Sequence, residues 1–297
     1  MMTNLANPGM ASRSSKHAVT GATATPRTAA RMCAIALVAG MPTLAHAHSL
    51  VDGTLTQRLP ALLTALLLFA AWLAYVAGCR HVAPRRAGLF HVTTTLALLA
   101  LVGPFEAWAG TSAALHMAQH MLLMVVIAPL WVLARPLPQW RASVGEWARW
   151  LWIGALQGAR RPLTMALIHG AMIWVWHAPR PYMLAVDNPW WHMLEHACFL
   201  FSAGLFWWAV LHPRAAARGR AMLALLLTLM HTGLLGALLT FANTPLYRDA
   251  TDLYDQQLAG LIMWVPGGLI YLIAAAWCGH LWMRHLWRRA AHGAHTA

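Results

Sequence analysis

Seven long apolar segments divide the chain, and they constrain its fold more than any other feature. Each segment is long enough to cross the hydrocarbon core of a bilayer, which is about 30 Å thick. The apolar residues form continuous runs instead of alternating with polar ones, which predicts helices and excludes the strands of a membrane barrel. We place the segments at residues 59–79, 88–105, 113–134, 163–179, 190–211, 221–242 and 256–283.

Composition supports an integral membrane protein. Of the 297 residues, 60% are hydrophobic and only 10% are charged, whereas a soluble domain has about a quarter charged residues. The net charge of +13 does not indicate a nucleic-acid partner, because the arginines are spread between apolar runs instead of forming one basic patch. We therefore predict an all-α membrane protein, a bundle of seven helices in contact with membrane lipid.

The N-terminal 47 residues have the pattern of a secretory signal peptide. Residues 1–31 are polar and basic without an acid, residues 32–44 are apolar, and Ala-His-Ala follows at 45–47. A basic region, a short apolar region and a small-residue cleavage site are typical of such a signal. We expect cleavage after Ala47, which leaves residues 48–297 as a single membrane domain. An uncleaved anchor and a start further into the chain are the alternatives.

Arginine distribution predicts the orientation of the bundle. The arginines concentrate after the first, third and fifth segments and in the tail, and basic loops remain in the cytoplasm. The predicted N-terminus is therefore outside and the C-terminus is cytoplasmic. The arginines in question are Arg80, Arg85, Arg86, Arg135, Arg141, Arg149, Arg160, Arg161, Arg214, Arg218, Arg220, Arg284, Arg288 and Arg289.

Two segments each begin with a pair of histidines four residues apart. His116 and His120 open the third segment, and His192 and His196 open the fifth. Residues at i and i+4 lie on one helix face, so each pair can offer two imidazoles to one metal ion. Both segments start on the predicted outer side, which puts the pairs at the same depth. Histidines that only hydrogen-bond across helices are the structural alternative.

Further polar and sulfur-containing side chains at this level are secondary candidates for the site. Glu195 could orient a ligating imidazole or balance the charge of the ion. Imidazole and thioether donors without thiolates favour copper over calcium or magnesium. The secondary candidates are Glu195, His177, His231, Met117, Met121, Met193 and Asp255.

Three stretches together resemble one known family. They are HMAQHMLLMVVIAPLWVLARPL at 116–137, VWHAPRPYMLAVDNPWWHMLEHACFLFSAGLFWWAVL at 175–211 and DLYDQQLAGLIMWVPGGLIYL at 252–272. This set resembles the caa3-type CtaG family of cytochrome c oxidase assembly factors, with similarity over nearly all of 55–285. The resemblance implies a multi-pass protein of the bacterial inner membrane that is needed to mature a haem–copper oxidase. It also implies oxidase subunits, and periplasmic copper chaperones, as partners.

These observations favour an assembly factor that binds copper, as Cu(I), at the four histidines and passes it to an oxidase subunit. A haem b-binding electron carrier, a copper transporter and a metal-free scaffold are the alternatives. The sequence has no GxSxG motif and no glycine-rich phosphate loop, and it has few acidic residues. We therefore expect no enzymatic activity.

Overall fold

Helices form every regular element of the described chain. The computed structural model describes residues 55–79, 82–145, 153–154, 157–247 and 252–294. Within these ranges there is no strand, and the all-α prediction is confirmed. The predicted signal peptide at 1–47 lies outside the described residues.

The helices follow one another with short connections. A π-helical segment at Leu122–Ile127 joins α4 to α5, and a 3₁₀ turn at Ala215–Ala217 precedes α10. The α-helices are α1 (Leu55–Ala77), α2 (Pro84–Leu101), α3 (Pro104–Ala109), α4 (Ala113–Met121), α5 (Ala128–Ala134), α6 (Leu137–Val144), α7 (Pro162–Trp176), α8 (Pro179–Asp187), α9 (Pro189–Leu211), α10 (Arg218–Thr240) and α11 (Leu253–Ala294).

Six of the predicted segments form helices with the length and hydropathy of a membrane span. The fourth, predicted at 163–179, forms α7, which has 15 residues. Such a helix is about 22 Å long, shorter than the hydrocarbon core, so its crossing stays a prediction. The seventh, predicted at 256–283, is longer than expected, since α11 has 42 residues. The six are Arg58–Ala77, Pro84–Ala109, Ala113–Ala134, Pro189–Leu211, Ala215–Thr240 and Leu253–Ala290.

Local sequence determines where the two histidine helices begin. The Ser112 hydroxyl accepts a hydrogen bond from the Leu115 amide at 3.2 Å and caps α4. The Asn188 side chain accepts one from the Trp190 amide at 2.9 Å and caps α9. Pro189 occupies the first turn of α9, where its missing N–H removes no intrahelical bond. Each histidine pair thus lies within the first two or three turns of a well-defined helix start.

Pro129 ends the hydrogen-bond pattern of the π-helical segment and leaves a carbonyl of that segment free for a contact with α9. The Ala128 amide bonds the Leu123 carbonyl with π spacing. The next amide in that pattern belongs to position 129, where proline has none. The Met124 carbonyl is therefore left for another donor, and the indole of Trp207 on α9 donates to it at 2.8 Å. This bond connects the segment that follows α4 to α9, at a point further along both histidine-bearing helices than the histidines.

The most extensive contact between two helices joins α10 to α11, and α11 also packs against α4. Gly236 and Gly260 let the two backbones approach closely: a Cβ on Gly260 would lie 2.6 Å from the Gly236 carbonyl oxygen. By contrast, α1 is the least enclosed of the six spans and contacts α2, α6 and α9. The core therefore lies among α4, α7, α9, α10 and α11, with α1 at the edge.

We predict that Gly260→Ala lowers the melting temperature of the protein in detergent. The added methyl group overlaps backbone atoms that cannot rotate away, and overpacking of this kind costs about 1–3 kcal/mol. Gly204→Ala on α9 is the matched control, because a Cβ there meets nothing within 4 Å and alanine favours a helix by up to about 1 kcal/mol. Equal melting temperatures for the two variants would contradict the close approach of α10 and α11.

Candidate metal centre

Four imidazoles meet at the N-terminal ends of α4 and α9. One nitrogen from each of His116, His120, His192 and His196 lies within 4.8 Å of the other three. The ring centroids are 4.3 Å apart within the α4 pair and 4.2 Å within the α9 pair. Across the helices they are 5.1 Å apart for His116 and His192, and 5.3 Å for His120 and His196. We call these four residues the histidine cluster.

The histidine cluster is buried and has ring nitrogens without hydrogen-bond partners. His120 is fully buried, while His116 and His196 are 5% and 6% exposed. The Nε2 atoms of all four rings lack a hydrogen-bond partner in the described protein. Buried polar atoms are normally satisfied because an unpaired one is costly. Nitrogens bound to one tetrahedral ion are about 3.3 Å apart, so small ring rotations would close the cluster on a metal.

Glu195 contributes a carboxylate to the same space. The side chain is fully buried, and its Oε2 lies 3.9 Å from His116 Nε2 and 3.7 Å from His120 Nε2. It therefore reaches from α9 toward the imidazoles of α4. A negative charge at this position would offset the charge of a bound cation, which an apolar bundle could not otherwise accommodate.

Sequence reasoning missed the contribution of Glu106 and Gln119. Glu106 on α3 lies with Oε1 3.1 Å from Nδ1 of His192. Gln119 on α4 donates to Oε2 of Glu106 at 2.6 Å and to the Ala100 carbonyl at 2.7 Å. The available signal was that Glu106 is the one acid in its membrane span, since ionisable residues inside spans are usually functional.

Aromatic residues and His177 border the histidine cluster on another side. The Tyr182 hydroxyl lies 3.5 Å from Nδ1 of His116, and its ring stacks on Tyr247 with 3.8 Å between centroids. The Tyr247 hydroxyl donates to the His177 carbonyl at 2.7 Å. The His177 ring is 6.1 Å from that of His120, and its Nδ1 bonds a backbone carbonyl of α7. His177 thus neighbours the cluster without joining it.

The three candidate methionines lie in different surroundings. Met117 is buried in the main hydrophobic core. The Met121 sulfur lies against Gly267 of α11, where it would be 2.8 Å from an added Cβ. Met193 is half-buried on α9 and lines a cavity described below. Met117 and Met121 therefore have clear packing roles.

His231 and Asp255 do not belong to the histidine cluster. The His231 ring packs against Gly170 on α7, with its Nε2 2.6 Å from the position of an added Cβ. The carboxylate of Asp255 accepts hydrogen bonds from the Ser112 hydroxyl at 2.7 Å and from the Ala113 and Ala114 amides at 2.9 and 3.1 Å. Asp255 therefore caps α4 from α11, a sufficient structural reason for an acid at this position.

A cavity of about 680 Å³ opens beside the histidine cluster. Its wall is mostly apolar, and the ionisable residues that line it are Glu106, His192 and His196. His192 and Glu106 each keep 18% of their side-chain surface accessible. A ligand in the cavity could therefore contact the imidazoles of His192 and His196. The remaining lining residues are Pro60, Ala61, Thr64, Leu67, Leu68, Leu101, Ala185, Val186, Pro189, Met193, Ala197 and Leu200.

We predict that Asp255→Ala destabilises the fold without reducing the amount of metal bound at saturation. Loss of a helix cap costs about 0.5–2 kcal/mol, and the three hydrogen bonds to α4 disappear. Asp255→Asn keeps one accepting oxygen and should lose less stability. Thermal unfolding and metal analysis of the purified variants test both points. A lower ratio of bound metal to protein in both variants would instead make Asp255 a ligand.

Comparison with known proteins agrees with the sequence motifs. The family model of the cytochrome c oxidase caa3 assembly factors, Caa3_CtaG, matches residues 72–285. The match covers most of the chain and includes the histidine cluster, Glu106, Gln119 and Glu195. No curated protein and no solved structure matches the chain. The resemblance inferred from the motifs is confirmed: the chain belongs to the cytochrome c oxidase caa3 assembly factor family.

Proposed function

We propose that this chain holds copper at the histidine cluster and hands it to a subunit of a cytochrome c oxidase. The observation that carries the proposal is the convergence of four imidazole nitrogens within 4.8 Å in a member of an oxidase assembly family. The process is ligand exchange, in which no covalent bond of a substrate is broken. The protein is therefore an assembly factor and not an enzyme.

The donor set supports copper as the cargo. Imidazole nitrogens suit copper, zinc and iron, whereas calcium and magnesium prefer oxygen ligands. The proposed acceptor belongs to the haem–copper oxidases, which need copper for their own metal sites. Cu(I) carries one positive charge, and the buried Glu195 carboxylate near His116 and His120 could neutralise it. A neutral ion–carboxylate pair is the least costly charge state inside an apolar bundle.

The position of the histidine cluster supports handover on the periplasmic side of the inner membrane. The cluster lies near the starts of α4 and α9, while Arg135 follows α5 and Arg214 follows α9 at the other end of the same spans. Basic residues remain cytoplasmic. We accordingly propose seven spans with α7 as the fourth, the N-terminus outside and the C-terminus in the cytoplasm.

The geometry favours a metal ion over haem at this site. An axial haem pair must have the porphyrin plane between its two imidazoles. Here the rings of the two helices are 5.1 and 5.3 Å apart between centroids, and all four nitrogens point to one small volume. A transport path would need further ligands deeper in the bundle, and one candidate there, His169, is engaged on both sides, 2.9 Å from Ser202 Oγ and 3.5 Å from the Tyr271 hydroxyl.

The cavity supplies a route for the exchange. His192 and His196 line it, whereas His116 and His120 do not. A metal-binding group of a partner could therefore replace the α9 imidazoles first, while the α4 pair still holds the ion. Stepwise replacement avoids a free ion, because each new ligand binds before the next one leaves.

We predict that replacing all four histidines of the cluster by alanine lowers Cu(I) affinity by more than about 100-fold. Loss of a residue that only hydrogen-bonds a metal ligand costs about 10–100-fold, and loss of the ligands themselves should cost more. Competition with a chromophoric Cu(I) chelator in detergent measures the affinity. The control changes His280 and His285 on α11 to alanine, since neither belongs to the cluster. Unchanged affinity in the fourfold variant would refute the site, and a Soret band in purified wild-type protein would favour haem.

We also predict that Ala61→Trp slows copper exchange without changing the equilibrium affinity. Ala61 lines the cavity on α1, so an indole there narrows the path while leaving all four ligands in place. A barrier raised by about 1 kcal/mol slows both loading and removal about fivefold. Leu66→Trp is the matched control, because Leu66 is also on α1 but is 61% exposed and does not line the cavity. Equal exchange rates in stopped-flow measurements would place the path elsewhere.

A further inference from the structure

Glu106 reaches the histidine cluster from a helix that carries no metal-ligand motif. It belongs to α3, a helix of 6 residues that follows Gly103 and begins with Pro104. From there its Oε1 lies 3.1 Å from Nδ1 of His192 on α9. A carboxylate can only accept a hydrogen bond, so the proton between the two atoms belongs to Nδ1 of His192.

The second oxygen of Glu106 is held by Gln119. This amide is fully buried on α4, immediately before the ligand candidate His120. Its Nε2 donates to Oε2 of Glu106 at 2.6 Å and to the Ala100 carbonyl at the end of α2 at 2.7 Å. Glu106 is thus held directly by contacts to α4 and α9, and Gln119 in turn is tied to the end of α2.

We propose that Glu106 is a positioning residue that fixes the tautomer and ring orientation of His192 for metal binding, with Gln119 as its anchor. This inference rests on the proposed function of the histidine cluster. A proton on Nδ1 leaves the lone pair on Nε2, and Nε2 of His192 has no hydrogen-bond partner in the described protein. Glu106 therefore presents that lone pair to the cluster, and a carboxylate behind an imidazole strengthens it as a ligand.

The placement of this contact on His192 has a structural reason. His192 is the most accessible member of the cluster, with 18% of its side-chain surface exposed. The other three rings are confined by packing, and the His120 ring lies 4.9 Å from Phe199 between centroids. The His192 ring is less buried than the other three and has more room to rotate, so a hydrogen bond fixes an orientation that burial restricts in its neighbours.

A double-mutant cycle tests the proposal. Glu106→Ala in the full chain should weaken Cu(I) binding by about 10–100-fold, the range typical of a lost carboxylate partner. In a His192→Ala background the same change should have no further effect, because Glu106 acts through His192. Glu106→Gln keeps an accepting oxygen and should recover part of the loss. Asp187→Ala, an exposed acid at the same end of α9, is the control and should leave affinity unchanged. Equal losses in both backgrounds would overturn the proposal and leave Glu106 a general structural role.

A metal-free measurement separates this inference from the proposed function. Ring-nitrogen NMR of the labelled protein should show His192 as the Nδ1–H tautomer, and Glu106→Ala should convert it to a mixture. An Nε2–H tautomer in the wild-type protein would overturn the inference even if copper binds. Wild-type protein that binds no copper, with the Nδ1–H tautomer intact, would refute the function and confirm the contact.

Discussion

The burial of imidazole nitrogens in an apolar bundle is the constraint on which the rest of the structure depends. Each unpaired polar atom in such surroundings costs free energy, and a seven-segment chain offers few polar partners. The described protein brings several of these groups together at one level, where His116 and His120 meet Glu195 and the histidines of α9. A cation is the partner that would satisfy all of these groups together, because it accepts several lone pairs at once and pairs with the carboxylate.

That arrangement requires two helices to stay in fixed register. The caps of Ser112 and Asn188 define where α4 and α9 begin, and therefore how far each histidine pair lies from its helix end. Below the pairs, Pro129 leaves the Met124 carbonyl without a backbone donor, and the Trp207 indole bonds it. A proline that weakens one helix thus provides the contact that holds it to the other. The register of the site depends on hydrogen bonds at both ends.

Sequence patterns predicted what depends on one helix and missed what depends on several. The i,i+4 spacing of each histidine pair is a local property, and so is the apolar length that identified six spans. The contact between Glu106 and His192 joins residues 86 positions apart, and no local sequence pattern predicts it. Asp255 was a candidate ligand because it is an acid at the right depth, but its role in capping α4 depends on how α11 packs. The fourth segment was predicted to reach residue 179, but α7 ends at Trp176 because Ala178, which precedes Pro179, adopts an extended backbone.

The accessibility of the four imidazoles is unequal, and this inequality bears on how a bound ion could leave. His120 is fully buried and its ring contacts that of Phe199, so in the proposed copper site it would release the ion after the more accessible ligands. His192 faces the cavity, yet Glu106 holds its ring. An accessible ligand without such a restraint would rotate away and let the ion escape to water. With the restraint, release from the proposed copper site would require a competing ligand that enters through the cavity, a property that suits the proposed delivery role better than simple storage.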